Sequence, residues 1–136
     1  MKNWVETTIL QWKTENITLR PGASPAQIND TEKMLGYLFP DEFKTLYLQV
    51  NGFTDFDWRS NMISIWPLDR IISEYTDSQD KSFIGFADYL INSATYGFLK
   101  NETGVFKQVD QYGAQFLTSS FKKAIELINA DNKLLY

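Results

Sequence analysis

The stretch "LFPDEFKTLYLQVNGF", residues 38–53, predicts a helix with both of its ends marked. Pro40 is suited to a first helical turn, and the acidic residues Asp41 and Glu42 favour the positive end of the helix dipole. Asn51-Gly52 predicts the end of the helix. Its apolar residues recur at i, i+3, i+4 and i+7, the spacing of a buried helix face: Phe43, Leu46, Tyr47 and Val50. The clearest signal in this sequence is therefore a packing helix.

Two further helices are predicted before it. Residues 2–15 place Trp4, Val5, Ile9 and Trp12 at helical spacing. Ser24 opens the second helix, because Pro25 fits the first helical position and Gln27 completes an S-x-x-Q capping box. That helix ends at Gly36, and its predicted apolar face is Ile28, Met34 and Leu35.

After Gly52 the pattern changes to that of strands. Short runs rich in strand-forming residues are separated by turn residues: 62–68, 82–91, 94–100, 104–109 and 114–118. Residues 68–75 fit a short helix, 76–81 a polar loop, and 119–134 a closing helix capped by Ser119 or Ser120. Helices, then strands, then one helix predict a single α+β domain over residues 1–136, with a mostly antiparallel sheet packed against the helices.

The composition excludes several kinds of chemistry. The chain of 136 residues has no Cys and no His, so it has no disulfide, thiol nucleophile, imidazole base or ordinary zinc site. No G-x-G spacing occurs, which removes the dinucleotide and P-loop fingerprints. We expect no catalytic residues, cofactor or metal. The net charge of −4 argues against direct binding to nucleic acid, and the absence of a signal peptide or membrane span predicts a cytoplasmic protein.

Four polar or aromatic residues that could suggest a site have simpler interpretations. Trp66 lies in a strand pattern, which favours core packing over ligand stacking. Asp88 follows a strand and is expected to accept hydrogen bonds in a turn or cap. Glu6 and Glu15 fit a solvated helix face.

The segment "FTDFDWRSN", residues 53–61, is harder to interpret. Phe56 and Trp58 alternate with Asp55, Asp57 and Arg59 directly after a helix end. One interpretation is a strand edge or a loop that folds back on the sheet. The other is an interaction loop, since aromatic and Arg anchors surrounded by charge are typical of interface hot spots.

The order of the motifs resembles that of the SUKH superfamily, which groups a fungal cell-wall assembly regulator with bacterial toxin-immunity proteins. The resemblance covers about residues 24–130. It rests on these residues, in this order: Ser24-Pro25, Leu35-Gly36, Phe39-Pro40-Asp41-Glu42-Phe43, Leu46, Asn51-Gly52, Ile65-Trp66-Pro67-Leu68, Phe83-Ile84-Gly85-Phe86-Ala87-Asp88, Tyr96 and Ser119-Ser120-Phe121. Residues 1–20 and 54–61 match no motif of the superfamily.

The resemblance implies a non-enzymatic immunity protein that binds and neutralises a cognate toxin, for example a nuclease with a basic surface. Two other functions remain open, an intracellular scaffold or regulatory adaptor like the fungal regulator and a hydrolase that uses two carboxylates. Acidic residues outside the expected core concentrate between residues 53 and 81: Asp55, Asp57, Asp69, Glu74, Asp77 and Asp80, with Glu102 beyond them. We therefore expect this region to bind the partner, with Phe56 and Trp58 as anchors.

Overall fold

The computed structural model describes residues 3–55, 57–109 and 113–136. Its α-helices are α1 (Trp4–Thr14), α2 (Pro25–Leu35), α3 (Asp41–Gln49), α4 (Leu68–Asp77) and α5 (Phe121–Asn129), followed by a short 3-10 helix (Lys133–Leu135). The strands are β1 (Leu19–Pro21), β2 (Val50–Phe53), β3 (Ile63–Ile65), β4 (Phe83–Tyr89), β5 (Ala94–Leu99), β6 (Glu102–Gln108) and β7 (Ala114–Thr118). The predicted α+β class is confirmed.

The main sheet is a simple antiparallel meander. Its strand order is β3-β4-β5-β6-β7, so each strand pairs with its neighbour in sequence. The helix α5 packs on one face, where the Phe121 ring lies 5.0 Å from Phe86 and 6.0 Å from Phe98. The other face carries a row of directly paired residues: Ser64, Asp88, Thr95 and Gln108. The sheet thus has an inner, aromatic face and an outer face with polar residues.

The helix α3 is the centre of the core, as its sequence predicts. Phe43, Leu46 and Tyr47 are fully buried, and the Phe43 ring stacks on both Phe39 and Tyr47 with centroids 3.9 Å apart. The Tyr47 hydroxyl donates to the backbone carbonyl of Trp66. Burial raises the pKa of Tyr47, so this hydroxyl stays a donor and ties α3 to the chain that follows β3.

The end of α2 confirms one prediction and corrects another. Ser24 and Gln27 form the expected capping box, and Gly36 takes the left-handed conformation that ends the helix, with φ 67°. The predicted apolar residue Met34 is instead 63% exposed. The buried face is Ile28, Thr31, Glu32 and Leu35, and Met34 lies one residue, or about 100°, away from Leu35 on the helix.

The two-stranded sheet of β1 and β2 was not predicted. Asn51 and Gly52 follow the end of α3, but they belong to β2, which pairs with β1. Gly52 has φ 69°, and a β-carbon there would lie 2.5 Å from the backbone nitrogen of Pro67. Glycine at this position lets β2 pass close to the start of α4.

Candidate functional site

A cleft of about 350 Å³ opens between the loop 54–61, the first turns of α4 and the turn that joins β4 to β5. We call it the Trp58 cleft. Its lining residues are Asp55, Trp58, Met62, Ser64, Arg70, Asp88 and Ile91. Asp55 and Trp58 are two of the residues that the sequence proposed for partner binding. Phe56, the other proposed anchor, lies outside the described residues.

Asp57, also predicted to bind the partner, holds the loop in place through hydrogen bonds. Its carboxylate accepts a hydrogen bond from the backbone N–H of Thr18 at 2.6 Å and another from that of Trp58 at 3.0 Å. The hydroxyl of Ser64 donates to the Asp57 backbone carbonyl at 2.8 Å. These bonds join the loop to the segment before β1 and to β3, and they leave the Trp58 side chain 38% exposed at the cleft.

Arg59, the predicted arginine anchor, is buried and has its partners within the protein. It is 3% exposed, and its guanidinium makes a two-pronged contact with Glu15, with N–O distances of 2.8 and 2.9 Å. The same guanidinium donates to the backbone carbonyl of Ile128 and to Asp131, the latter at 3.1 Å. Arg59 therefore ties the loop to the ends of α1 and α5. Glu15, expected on a solvated face, is its main partner, and this contact lowers the Glu15 pKa.

The back wall of the cleft is built on Asp88. This buried carboxylate accepts from the indole N–H of Trp66 at 2.7 Å and from the backbone N–H of Asn92 at 2.8 Å. The predictions that Asp88 accepts bonds in a turn and that Trp66 packs in the core are confirmed. Arg70 lies 3.6 Å from the Asp88 carboxylate, and its guanidinium carbon is 4.5 Å from the Trp66 ring centroid. Asp88 and Trp66 thus hold Arg70 at the floor of the cleft.

Two exposed carboxylates form an acidic rim beside the cleft. Arg20 bridges them, with N–O distances of 3.3 Å to Asp55 and 3.1 Å to Asp69. The Asp55 and Asp69 side chains remain 63% and 70% exposed. One guanidinium offsets only one of the two charges, so the rim stays net negative.

Three other acidic residues predicted to bind the partner are not part of this rim: Glu74, Asp77 and Asp80. Glu74 lies one turn along α4 and pairs with Arg70 at 3.8 Å. Asp77 ends α4, about 12 Å from Asp69 at the helical rise per residue. Asp80 accepts from the Ser82 hydroxyl and backbone N–H, and these bonds lower the Asp80 pKa. Asp77 and Asp80 therefore belong to the far end of the helix, with Glu74 between the two groups.

The sequence interpretation missed the turn after β4, whose residue Ile91 lines the cleft. Residues 82–91 were assigned to one strand, but β4 ends at Tyr89. Leu90 and Ile91 then form a turn with φ 51° and 52°, and their side chains are 44% and 71% exposed. The turn contains no Gly or Pro, and apolar residues such as these favour strands. The following pair, Asn92-Ser93, was the available turn signal.

Within residues 3–55, 57–109 and 113–136, no group of three or more acidic, His or Cys side chains could hold a metal ion. Over the same ranges, no helix is long and apolar enough to cross a membrane.

The antiparallel sheet and the helices packed against it define a small α+β protein with an open cleft on its surface. The chain belongs to the SMI1 / KNR4 family (SUKH-1), whose family model matches residues 22–126. The resemblance inferred from the sequence motifs is thereby confirmed. The chain is also 45% identical over 58 residues to the "Uncharacterized protein YnaB" of Bacillus subtilis (strain 168). That match covers 43% of this chain and 37% of the relative.

Proposed function

We propose that this chain is an immunity protein that binds a cognate bacterial polymorphic toxin and neutralises it without catalysis. The observation that carries the proposal is the Trp58 cleft, in which a half-exposed tryptophan lies beside a net-negative rim on a rigid frame. Aromatic anchors with a charged surround are typical of protein interfaces. Membership in the family supports the proposal, since the family includes immunity proteins.

The charge of the rim favours a partner with a basic surface. A nuclease toxin must grip a phosphate backbone and therefore presents such a surface. An acidic inhibitor gains from complementary potentials, which speed the encounter and exclude wrong partners. The same charge disfavours direct binding of nucleic acid by this chain. We place the interaction in the cytoplasm, where a chain without cysteine loses nothing to the reducing conditions.

The two alternative functions, a hydrolase and a regulatory adaptor, require different features of the protein. A hydrolase based on two carboxylates needs at least one with a raised pKa in a cleft. The two carboxylates that line the Trp58 cleft are instead held by donors that favour the charged form: Asp55 pairs with Arg20, and Asp88 accepts from Trp66 and Asn92 and lies 3.6 Å from Arg70. A regulatory adaptor like the fungal regulator would bind a host protein and would not protect a cell from a toxin. Protection therefore discriminates between the adaptor and the immunity protein.

Genes for immunity proteins typically lie beside the gene of their toxin, so the proposal expects the neighbouring gene to encode the cognate toxin. The test is co-expression with the product of that gene, combined with a binding measurement on the purified pair. The proposal predicts survival of cells that carry both genes and a stable complex in solution. Cells that die despite a folded, abundant protein would contradict it. A protein with Trp58→Ala should protect less well than one with Phe116→Ala, because Phe116 is an exposed aromatic on β7 that does not line the cleft.

A further inference from the structure

The turn between β4 and β5 displays two apolar side chains in a costly backbone conformation. Leu90, Ile91 and Asn92 are three successive residues with positive φ, at 51°, 52° and 65°. This region suits Gly and Asn, but it is strongly disfavoured for a β-branched residue such as Ile. Ile91 is also 71% exposed, so the burial of its own side chain offsets little of that cost.

Hydrogen bonds to Asp88, Tyr89 and Met62 maintain this conformation of the turn. The Asp88 carboxylate accepts from the Asn92 N–H at 2.8 Å, and the Ser93 N–H donates to the Tyr89 carbonyl at 3.0 Å. The Leu90 N–H donates to the Met62 carbonyl at 2.9 Å, which joins the turn to the start of β3. Strained residues that persist because their surroundings fix them are characteristic of binding and catalytic sites. The turn therefore presents Leu90 and Ile91 in a fixed position.

Ile91 shares the cleft with two other apolar side chains. Trp58 and Met62 line the same cleft, and Met62 is another non-glycine residue with positive φ, at 68°. The cleft volume of about 350 Å³ is near the lower end of the range of roughly 300–1,000 Å³ for small-ligand pockets. A space of this size with apolar walls accommodates one or two side chains of a partner.

The charges in and beside the cleft indicate which residues would flank such a side chain in the partner. The floor cation, Arg70, is already engaged by Asp88, by Glu74 and by the face of Trp66. At the mouth, Asp55 and Asp69 share a single cation, Arg20, among the residues that the structure describes. A second cation beside the rim would complete the neutralisation of these carboxylates.

We infer that the Trp58 cleft receives a large aliphatic side chain of the toxin, adjacent in its sequence to Lys or Arg. Trp58, Met62 and Ile91 form the apolar lining of this subsite, and Asp55 and Asp69 take the basic neighbour. The inference rests on the proposed function for the identity of the partner, and it names the element of the partner that is recognised.

The first experiment measures the affinity of the neighbouring gene's toxin for Ile91→Asn. Asn tolerates the left-handed conformation, so this variant should keep a thermal midpoint at or above that of the wild type. Its affinity should fall by about tenfold or more, since it loses part of the apolar lining of the subsite. The matched control is Leu38→Asn, because Leu38 is 76% exposed and does not line the cleft. Unchanged affinity of Ile91→Asn would overturn the inference and leave the proposed function standing.

The second experiment needs no toxin. The protein labelled for NMR is titrated with the capped tripeptide Lys-Leu-Lys, and with Glu-Leu-Glu and Lys-Ser-Lys as controls. The inference predicts that only Lys-Leu-Lys shifts the Ile91 methyl and Trp58 indole signals. If the toxin does not bind the wild type but this discrimination is seen, the proposed function fails and the specificity of the cleft stands. Equal responses to the three peptides, or none, would overturn the inference.

Discussion

The indole N–H of Trp66 donates to the carboxylate of Asp88 at 2.7 Å, and both residues are almost fully buried. Trp66 leads from β3 into α4, whereas Asp88 lies in β4, two residues before the first strained residue of the turn, Leu90. The bond therefore connects the packed frame to the cleft. The second oxygen of Asp88 accepts from Asn92 in that turn, so a single carboxylate positions both the floor and one wall of the cleft.

Replacement of Asp88 by Ala should lower the free energy of unfolding by about 3 kcal/mol, because it leaves the donors of Trp66 and Asn92 without their acceptor. Asp88→Asn keeps one acceptor oxygen and should cost less. Urea denaturation of the three proteins measures the difference. Equal stability of the wild type and Asp88→Ala would show that this carboxylate does not support the turn.

Arg59→Met should destabilise the protein by about 2 kcal/mol, because it removes the charged hydrogen bonds from the buried guanidinium to Glu15 and to the Ile128 carbonyl. Arg59→Lys should recover only part of this loss, since an ammonium group cannot reproduce the two-pronged contact with Glu15. Thermal denaturation checks both variants. A stable Arg59→Met protein that has lost toxin binding would instead restore Arg59 as a contact residue.

The contact between Glu15 and Arg59 also predicts a dependence of stability on pH. Its hydrogen bonds lower the Glu15 pKa below the ordinary value of 4.5. The stabilisation is therefore complete above the ordinary value and is lost as the pH falls through the lowered, folded-state value. Glu15→Gln should lose less stability than the wild type over that acidic range. Urea denaturation at a series of pH values tests this prediction. If the free energy of unfolding changes with pH by the same slope in the two proteins, Glu15 is not a source of acid sensitivity.

The sequence predicted the frame of the protein better than its site. Phe43, Leu46 and Tyr47 follow a regular helical period, and Ser24 and Gln27 form a local cap, so both features could be identified without tertiary information. The burial of Arg59 depends on partners 44 and 72 residues away in sequence, which no local pattern contains.

The turn at Leu90 and Ile91 was missed for a related reason. Its conformation is imposed by bonds from Asp88 and Met62 and opposes the strand propensity of its own residues. The acidic segment and Trp58 were noticed because charge and aromatic content are visible in any sequence. Their division into a frame residue, Asp57, and rim residues, Asp55 and Asp69, required the three-dimensional contacts.

Trp58→Ala should weaken toxin binding by about 2 kcal/mol, or roughly 30-fold, as expected for an aromatic anchor in an interface. Its effect on folding should be smaller than that of Arg59→Met, because Trp58 is already 38% exposed. Calorimetric titration against the neighbouring gene's toxin measures the affinity, with Phe116→Ala as the aromatic control. Equal affinities for the wild type and Trp58→Ala would assign binding to another surface.

The central claim is that an acidic rim guides a basic toxin to the Trp58 cleft. The most direct test is the association rate of the purified pair over a series of salt concentrations, for the wild type and for Asp55→Asn combined with Asp69→Asn. Asp57 is left intact because it holds the loop. Asp30→Asn combined with Glu126→Gln makes the same change in net charge at exposed residues outside the cleft.

We predict that the wild-type association rate falls as salt rises, because salt screens attraction between exposed charges. The rim variant should associate more slowly at low salt and depend less on salt, with a dissociation rate close to that of the wild type. The control variant should follow the wild type more closely than the rim variant does. An association rate that ignores salt, or a control variant that slows association as much as the rim variant, would contradict the claim.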